Sequence, residues 1–211
     1  VGGNNTLAVC EKIKFFSNYK IDGFLSVSPY YNKPTQAGIF QHYKVIANST
    51  KLPIIIYNVP GRTSSNISSQ TTLELASSIT NVVGVKEASG DLEQIMNIIL
   101  KKPANFLVIS GDDDLALGVV LAGGAGVISV IGQAFPKAFS EMVRLGLKGE
   151  AKAAYAIHFK LMDVINYIFE ENNPAGIKAV FEALNLCQDT VRLPLVSASK
   201  SLKEKIATFV K

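Results

Sequence analysis

The sequence predicts an α/β protein built on a parallel sheet. Between residues 23 and 130, short apolar runs rich in β-branched and aromatic residues recur at a steady interval. An amphipathic stretch with helical period separates each run from the next. Continuous apolar runs are typical of strands buried on both faces, and strict alternation with helices is typical of βαβ units.

The elements follow in a regular order along the chain. The predicted strands are 23–28, 53–57, 82–87, 106–110 and 126–130. The predicted helices in the same part of the chain are, approximately, 5–19, 35–49, 69–79, 91–101, 113–122 and 136–148.

The first helix shows how these assignments are made. Val9, Ile13 and Phe16 fall on one face of a helix of 3.6 residues per turn. The Asn and Thr residues at positions 4–6 can cap its start. Before them, Val1 is interpreted as the end of a strand, so we expect the chain to begin in mid-fold.

Three further helices without intervening strands are predicted at 150–171, 174–186 and 199–210. We therefore expect two domains: a β/α domain over residues 1–149 and a C-terminal helical extension over 150–211. No linker rich in Pro, Gly or Ser separates the two, so the extension is expected to pack on the first domain.

Two architectures fit this alternation, a doubly wound sheet and a TIM (β/α)8 barrel. A doubly wound sheet usually has a glycine-rich first βα turn, but no G-x-G-x-x-G follows a strand here. Barrels place their chemistry at the carboxyl ends of several strands, where this chain has its unusual residues. We predict a barrel. Because five strands and a strand end cannot close it, its first two to three βα units are expected to be missing.

Composition excludes several classes of function. The net charge is only +4 and the basic residues are spread along the chain, so a nucleic-acid partner is not expected. No apolar stretch reaches the length of a transmembrane helix, and no membrane partner is expected. Cys10 and Cys187 lie far apart without metal-ligand spacing, which indicates a reducing cytoplasm and no metal site.

Lys86 is the most informative residue of the chain. It lies near the end of the apolar strand 82–87, where an ammonium is poorly solvated. Desolvation lowers the pKa of a lysine, and the neutral amine is the nucleophile that Schiff-base chemistry requires. The alternative is an ordinary ion pair, for example with Glu87. From the residues alone, both interpretations remain open.

The neighbouring strand ends also carry polar side chains. Tyr30 and Tyr31 lie between two prolines after the first strand, and Tyr57 ends the second. A hydrogen-bonded phenol can relay a proton. Arg62 follows Tyr57 and could bind a carboxylate, although it could equally be a solvated loop charge. The run 112–114 of three Asp residues after the fourth strand is predicted to cap the next helix.

Five motifs together resemble one known family. They are SPYYNKPT (28–35), YNVPGRT (57–63), GVKEASG (84–90), SGDD (110–113) and GVISV (126–130). In order and spacing, they resemble the dihydrodipicolinate synthase family of the N-acetylneuraminate lyase superfamily. The resemblance covers essentially the whole chain. It implies a lyase that condenses pyruvate with aspartate semialdehyde, giving 4-hydroxy-tetrahydrodipicolinate for diaminopimelate and lysine biosynthesis.

The resemblance also implies the roles of the reacting residues. Lys86 forms the Schiff base with pyruvate, and Tyr57 shuttles protons beside it. Tyr31 completes the proton relay by reaching into the site of a neighbouring subunit. No cofactor is implied.

Substrate binding is implied for three more residues. Arg62 holds the carboxylate of the semialdehyde, while Gly111 and Ile128 line the pyruvate pocket. Arg62 and Tyr31 also favour this family over its sister, a pyruvate-dependent aldolase of sugar acids, because such aldolases generally lack that arginine.

An allosteric site for lysine is implied at Asn4 and Tyr30. Lysine-inhibited members carry a Glu near the position of Ala8. Since alanine cannot bind the amine of the inhibitor, we do not expect strong feedback inhibition.

The resemblance further implies a homotetramer, built as a dimer of dimers, in the cytoplasm. The Gly-Thr-Thr-Gly-Glu segment of the family would precede residue 1, and its threonines bind the pyruvate carboxylate. This chain alone is therefore expected to be inactive unless that segment is supplied. A non-catalytic fragment or scaffold remains as a further alternative.

Overall fold

The structure is a computed structural model that describes residues 1–210 and forms two compact units, Val1–Ile128 and Ser129–Lys211. The first unit contains one sheet of five parallel strands in the order β1-β2-β3-β4-β5. Its strands are β1 (Phe24–Val27), β2 (Ile54–Asn58), β3 (Val82–Glu87), β4 (Leu107–Ser110) and β5 (Gly126–Val127). The predicted parallel α/β class is therefore confirmed.

Six helices belong to the first unit. They are α1 (Thr6–Phe16), α2 (Gln36–Ala47), α3 (Pro60–Thr63), α4 (Ser69–Ser78), α5 (Leu92–Lys101) and α6 (Ala116–Leu121). Asn5 caps α1 as predicted, since its side chain accepts hydrogen bonds from the backbone N–H groups of Leu7 and Ala8 at 3.1 and 3.3 Å. The expected strand end is also present, because Gly2 forms a parallel bridge with Val27.

The core of the first unit lies between the sheet and its helices. It includes fully buried aliphatic side chains from β2, β3, β4 and α2, among them Ile54, Ile56, Val85, Val108, Ile39 and Ile46. Burial of such side chains stabilises the fold by about 1.5–3 kcal/mol each. These side chains cover one face of the sheet. The residues that alternate with them along β2, such as Ile55 and Tyr57, lie on the other face and are half-buried.

Two elements differ from prediction. The fifth strand ends at Val127 rather than residue 130, because β4 ends at Ser110 and offers no further backbone to pair with. The short helix α3 was not predicted. It begins at Pro60, where the fixed φ of proline suits a first helical position, and it ends at Ser64 in the left-handed region with φ 57°.

The second unit consists of helices. A 3-10 helix, Ile131–Gln133, is followed by α7 (Pro136–Leu147), α8 (Ala151–Glu170), α9 (Ala175–Ala183) and α10 (Lys200–Val210). Helix α7 packs on α8, and α8, α9 and α10 pack on one another. The predicted domain division after residue 149 stays a prediction. Within residues 1–210, no helix combines the length and apolar character needed to cross a membrane.

The carboxyl edge of the sheet carries two rows of residues in register. One row joins Val27, Tyr57, Lys86 and Ile109 on adjacent strands. Successive side chains of a strand alternate between faces, so the next residues point toward the helices. Those next residues form the second row, Ser28, Asn58, Glu87 and Ser110, and all four are fully buried.

Candidate active site

Lys86 and Tyr57 lie side by side at the carboxyl ends of β3 and β2. The two residues pair directly in the parallel register. The Nζ atom of Lys86 stands 4.1 Å from the centroid of the Tyr57 ring, within the range of a cation–π contact. The sheet therefore brings together the two side chains that sequence reasoning placed at the centre of the site.

The surroundings of Lys86 favour its neutral amine. Burial lowers the pKa of Lys86, and the nearby charge of Arg62 lowers it further, while the carboxylates of Asp112 and Asp113 oppose the shift. Desolvation is the largest of these effects. The geometry thus supplies the condition for nucleophilic attack that the sequence suggested.

An ion pair between Lys86 and Glu87 is not what the structure contains. Glu87 points to the opposite face of the sheet and is fully buried. Its carboxylate accepts hydrogen bonds from Nδ2 of Asn58 at 3.0 and 3.1 Å, from the backbone N–H of Ser89 at 2.9 Å and from Nε2 of Gln94 at 3.2 Å. The ion pair with Glu87, which the sequence left open for Lys86, is therefore wrong.

Gly111 lies against the side chain of Lys86. A Cβ atom at this glycine would stand 3.0 Å from Cε of Lys86 and 2.7 Å from Cβ of Ala88. The backbone N–H of Gly111 donates to the carbonyl of Glu87 at 2.7 Å, which continues the pairing of β3 with β4. Glycine is required here because any side chain would displace the lysine stem.

Arg62 is carried by the one-turn helix α3, just beyond the end of β2. Its side chain is exposed, and its charge acts on both Tyr57 and Lys86. The pKa of Tyr57 is raised, mainly by burial and in smaller part by Asp112, while Arg62 works in the opposite direction. Arg62 is thus an exposed cation whose charge reaches both members of the reactive pair.

Asp112 is the residue of this site that sequence reasoning missed. One oxygen of its carboxylate accepts a hydrogen bond from the backbone N–H of Gly90 at 3.2 Å. Burial, with the charges of Asp114 and Asp113, raises its pKa to about 6, and Lys86 counteracts this rise. Its position directly after a strand end was the available signal.

The expected capping by residues 112–114 is wrong. Helix α6 begins at Ala116 with Leu115 as its N-cap, and no side chain caps it. The carboxylate of Asp114 instead accepts from the adjacent Leu115 N–H at 3.0 Å. The Asp112 carboxylate is held by the N–H of Gly90, and its charge acts on Lys86.

The remaining predicted residues occupy more open positions. Ile128 follows β5, is 40% exposed, and donates its backbone N–H to the carbonyl of Ser110 at 2.9 Å. Tyr31 is 87% exposed and has φ 72°, an uncommon conformation for a bulky residue. Tyr30 is 42% exposed, and Asn4 is joined to the same loop because its carbonyl accepts from Nδ2 of Asn32 at 3.2 Å.

The search for metal-binding groups covers residues 1–210. In that part of the chain, no three His, Cys, Asp or Glu side chains are placed to hold one metal ion. Both histidines, His42 and His158, are buried in helices rather than at strand ends.

A family model described as the dihydrodipicolinate synthetase family matches residues 1–211. The chain belongs to this family. A curated relative, the 4-hydroxy-tetrahydrodipicolinate synthase of Flavobacterium psychrophilum, is 53% identical over 211 residues, which are all of this chain and 72% of that protein.

Solved structures of the family superpose closely. The crystal structure of dihydrodipicolinate synthase from Thermotoga maritima gives a TM-score of 0.96 at 37% identity, covering 99% of this chain and 72% of the other. The chloride-inhibited synthase from Acinetobacter baumannii, complexed with pyruvate, gives 0.94 at 37% identity, with 99% and 72% covered. These likenesses support a TIM-barrel-like fold. That βα units of a barrel are missing from this chain stays a prediction.

Membership of the dihydrodipicolinate synthetase family decides between the functions left open by the residues. The predicted enzyme class is confirmed: relatives about 50% identical over the chain are named as 4-hydroxy-tetrahydrodipicolinate synthases. The sugar-acid aldolase and the non-catalytic scaffold are correspondingly disfavoured.

Proposed function

We propose that this chain condenses pyruvate with aspartate semialdehyde through a Schiff base on Lys86. The observation that carries the proposal is the pairing of a desolvated lysine with a tyrosine at adjacent strand ends, with Nζ of Lys86 4.1 Å from the centroid of the Tyr57 ring. Burial lowers the pKa of Lys86 and so raises the fraction of neutral amine. The family relation supplies the substrates.

The reaction begins at the ketone of pyruvate. The neutral amine of Lys86 attacks the carbonyl carbon, water leaves, and an iminium forms. The iminium withdraws electrons, so a methyl proton is lost to a base and an enamine results. The enamine carbon attacks the aldehyde, forming the new carbon–carbon bond. The amino group of the semialdehyde then displaces Lys86, closes the ring and frees the enzyme.

Tyr57 serves as the proton carrier in this scheme. Its phenol lies beside the amine in half-buried surroundings, and burial raises its pKa, so it is protonated at neutral pH. A protonated phenol can donate to the leaving hydroxyl and recover the proton later. Tyr31, held in an exposed loop, is assigned to the same relay in the site of a neighbouring subunit within a homotetramer.

The substrate contacts are those that the family resemblance implies, and the position and charge of Arg62 agree with them. Arg62, at the site mouth, binds the carboxylate of the semialdehyde, since a guanidinium matches a carboxylate in charge and shape. Gly111 and Ile128, at the ends of β4 and β5, line the pyruvate pocket. Asn4 and Tyr30 match the allosteric site for lysine in the family, but feedback inhibition is not expected because position 8 is alanine, which cannot bind the amine of the inhibitor.

Arg62→Ala separates this function from that of a sugar-acid aldolase. We expect kcat/KM for aspartate semialdehyde to fall about 100-fold, because a charged hydrogen-bonding partner of the substrate is lost. Arg144→Ala is the matched control, since Arg144 is exposed and pairs with Glu141 at 2.8 Å in α7. Equal rates for the Arg62 variant, the parent and the control, together with turnover that needs no semialdehyde, would favour the aldolase.

A further inference from the structure

A closed hydrogen-bond network lies behind the reactive pair, on the helix-facing side of the sheet. Asn58 directly follows Tyr57, Glu87 directly follows Lys86, and Asn58 pairs with Glu87 in the strand register. Both side chains are fully buried. Nδ2 of Asn58 donates to the Glu87 carboxylate and also to Oδ1 of Asn66 at 2.8 Å.

The network reaches the loop that carries Arg62. Oδ1 of Asn58 accepts from the backbone N–H of Ile67 at 3.0 Å, and its amide also holds Asn66. Asn58 precedes this loop and binds the far end of it, so one side chain fixes both ends of the segment around Arg62. Nδ2 of Asn66 then donates to Oε1 of Gln94 in α5 at 2.8 Å.

Burying the carboxylate of Glu87 costs the folded state free energy, because a charged group loses its hydration. Burial raises the pKa of Glu87, and the hydrogen bonds from Asn58, Ser89 and Gln94 act against that rise. Apolar side chains of similar volume stabilise a core at least as well as a buried charge. A fully satisfied polar network does something that apolar packing does not, because it permits only one arrangement of its members.

We propose that Asn58 and Glu87 are positioning residues that set Lys86 against Tyr57 and hold the Arg62 loop at the site mouth. This inference rests on the proposed function. Each member of the buried pair is the next residue after a member of the reactive pair, so a shift of one strand end moves both. Displacements of about 1 Å at a catalytic centre can cost about 100-fold in rate.

The direction of every hydrogen bond in the network is fixed by two backbone groups. The N–H of Ile67 requires an acceptor on Asn58, and the N–H of Ser89 requires an acceptor on Glu87. In Glu87→Gln, the new amide nitrogen takes the place of Oε2 and meets two donors, Nε2 of Gln94 and Nδ2 of Asn58, which lie 3.2 and 3.1 Å from that oxygen in the parent. Flipping Gln94 and then Asn66 only moves the clash between two donors back to Asn58, which cannot flip.

Exchanging the two side chains removes the conflict between positions 87 and 94, while Nδ2 of Asn58 keeps only the remaining oxygen of residue 87 as its acceptor there. In the double variant Glu87→Gln with Gln94→Glu, residue 87 donates to the carboxylate at 94, which still accepts from Asn66. We expect Glu87→Gln alone to lower kcat about tenfold or more and to raise KM for aspartate semialdehyde. We expect the exchange to recover part of both losses, since Nδ2 of Asn58 still lies 3.1 Å from the new amide nitrogen. Asn97→Ala is the control, since Asn97 joins α5 to Ser69 at 3.1 Å outside the network.

The experiment is steady-state kinetics with thermal melting on the purified parent enzyme and each variant. Loss of kcat with recovery in the exchange supports positioning. A lowered melting temperature with kcat and KM within about twofold of the parent would overturn it. If Glu87→Gln does not fold, Gln94→Ala keeps the carboxylate of Glu87 and removes its donor at 94 together with the acceptor of Asn66. It must lower kcat/KM several-fold more than Asn97→Ala, and an equal effect overturns the proposal. An enzyme that stays inactive when the Gly-Thr-Thr-Gly-Glu segment of the family is supplied would instead contradict the proposed function.

Discussion

The ammonium of Lys86 lies 4.1 Å from the ring centroid of Tyr57, and the backbones of these residues pair in the same register. The ring and the hydroxyl of Tyr57 therefore have separable roles. Tyr57→Phe keeps the ring beside Lys86 but removes the proton carrier. We expect borohydride with pyruvate still to label Lys86, while turnover falls about 100- to 10,000-fold.

Tyr43→Phe is the control for this prediction. The hydroxyl of Tyr43 is buried in the core, where it donates to the carbonyl of Ser26 at 2.9 Å and also hydrogen-bonds the backbone of Tyr57, so the variant leaves the Tyr57 phenol itself in place. Loss of the Tyr43 hydroxyl should lower the free energy of unfolding by about 1 kcal/mol and leave turnover nearly unchanged. Unchanged turnover in Tyr57→Phe would remove this tyrosine from the proton relay.

Gly111→Ala should disable the site by steric contact. The added methyl group would stand 2.7 Å from Cβ of Ala88 and 3.0 Å from Cε of Lys86. We expect kcat/KM to fall at least about tenfold, because the lysine stem is displaced, and stability to fall by about 1–3 kcal/mol. Gly118→Ala in α6 is the control, since its new methyl meets only Leu92 at 3.8 Å. Unchanged kcat/KM in Gly111→Ala would show that the added methyl group does not displace Lys86, which would contradict this prediction.

Asp112→Asn should move the acidic limb of the kcat/KM profile to lower pH. The charge of Asp112 raises the pKa of Lys86, so a neutral side chain lowers that pKa and leaves more neutral amine at a given pH. The shift requires pH above about 6, where Asp112 is ionised in the parent. Arg62→Ala should shift the limb the opposite way, because Arg62 lowers the pKa of Lys86.

Asp163→Asn, at an exposed position of α8, is the control for the pH profile and should leave it unchanged. Shifts of the same sign in Asp112→Asn and Arg62→Ala would contradict the electrostatic assignment.

His42 makes the fold sensitive to acid. It is buried, its Nδ1 lies 2.9 Å from Oγ1 of Thr6, and burial lowers its pKa from 6.5 to about 4. Between these values the unfolded chain binds a proton that the folded chain does not, so stability is lost as pH falls from 6.5 to 4. His42→Gln should remove up to about 1.4 kcal/mol per pH unit of this slope. Urea unfolding of both proteins at several pH values measures the difference, and parallel slopes would contradict it.

Much of the fold could be predicted because hydrophobic period and strand length are local properties. The runs around Ile54–Asn58 and Val82–Glu87 form strands where the sequence predicts them. Helix α3 was missed because four residues, Pro60–Thr63, carry too little pattern to separate a turn of helix from a loop. The end of β5 was misplaced because it depends on where its partner β4 stops.

The reactive residues were predictable, whereas their supports were not. Lys86, Tyr57 and Arg62 stand at strand ends that the alternation of elements reveals. The role of Asp112 depends on a hydrogen bond to Gly90, which lies 22 residues away. The role of Asn58 depends on which residue of β3 pairs with it. Such relations arise from register and packing, and no single segment of sequence encodes them.

Covalent trapping on Lys86 tests the central claim most directly. The enzyme is incubated with pyruvate and borohydride, digested, and its peptides are measured by mass spectrometry, with Lys86→Arg as the comparison. The account predicts one reduced pyruvate adduct, on the peptide that contains Lys86, which is absent from Lys86→Arg and from enzyme treated without pyruvate. An adduct on another lysine, or none in an enzyme that turns over its substrates, would contradict it.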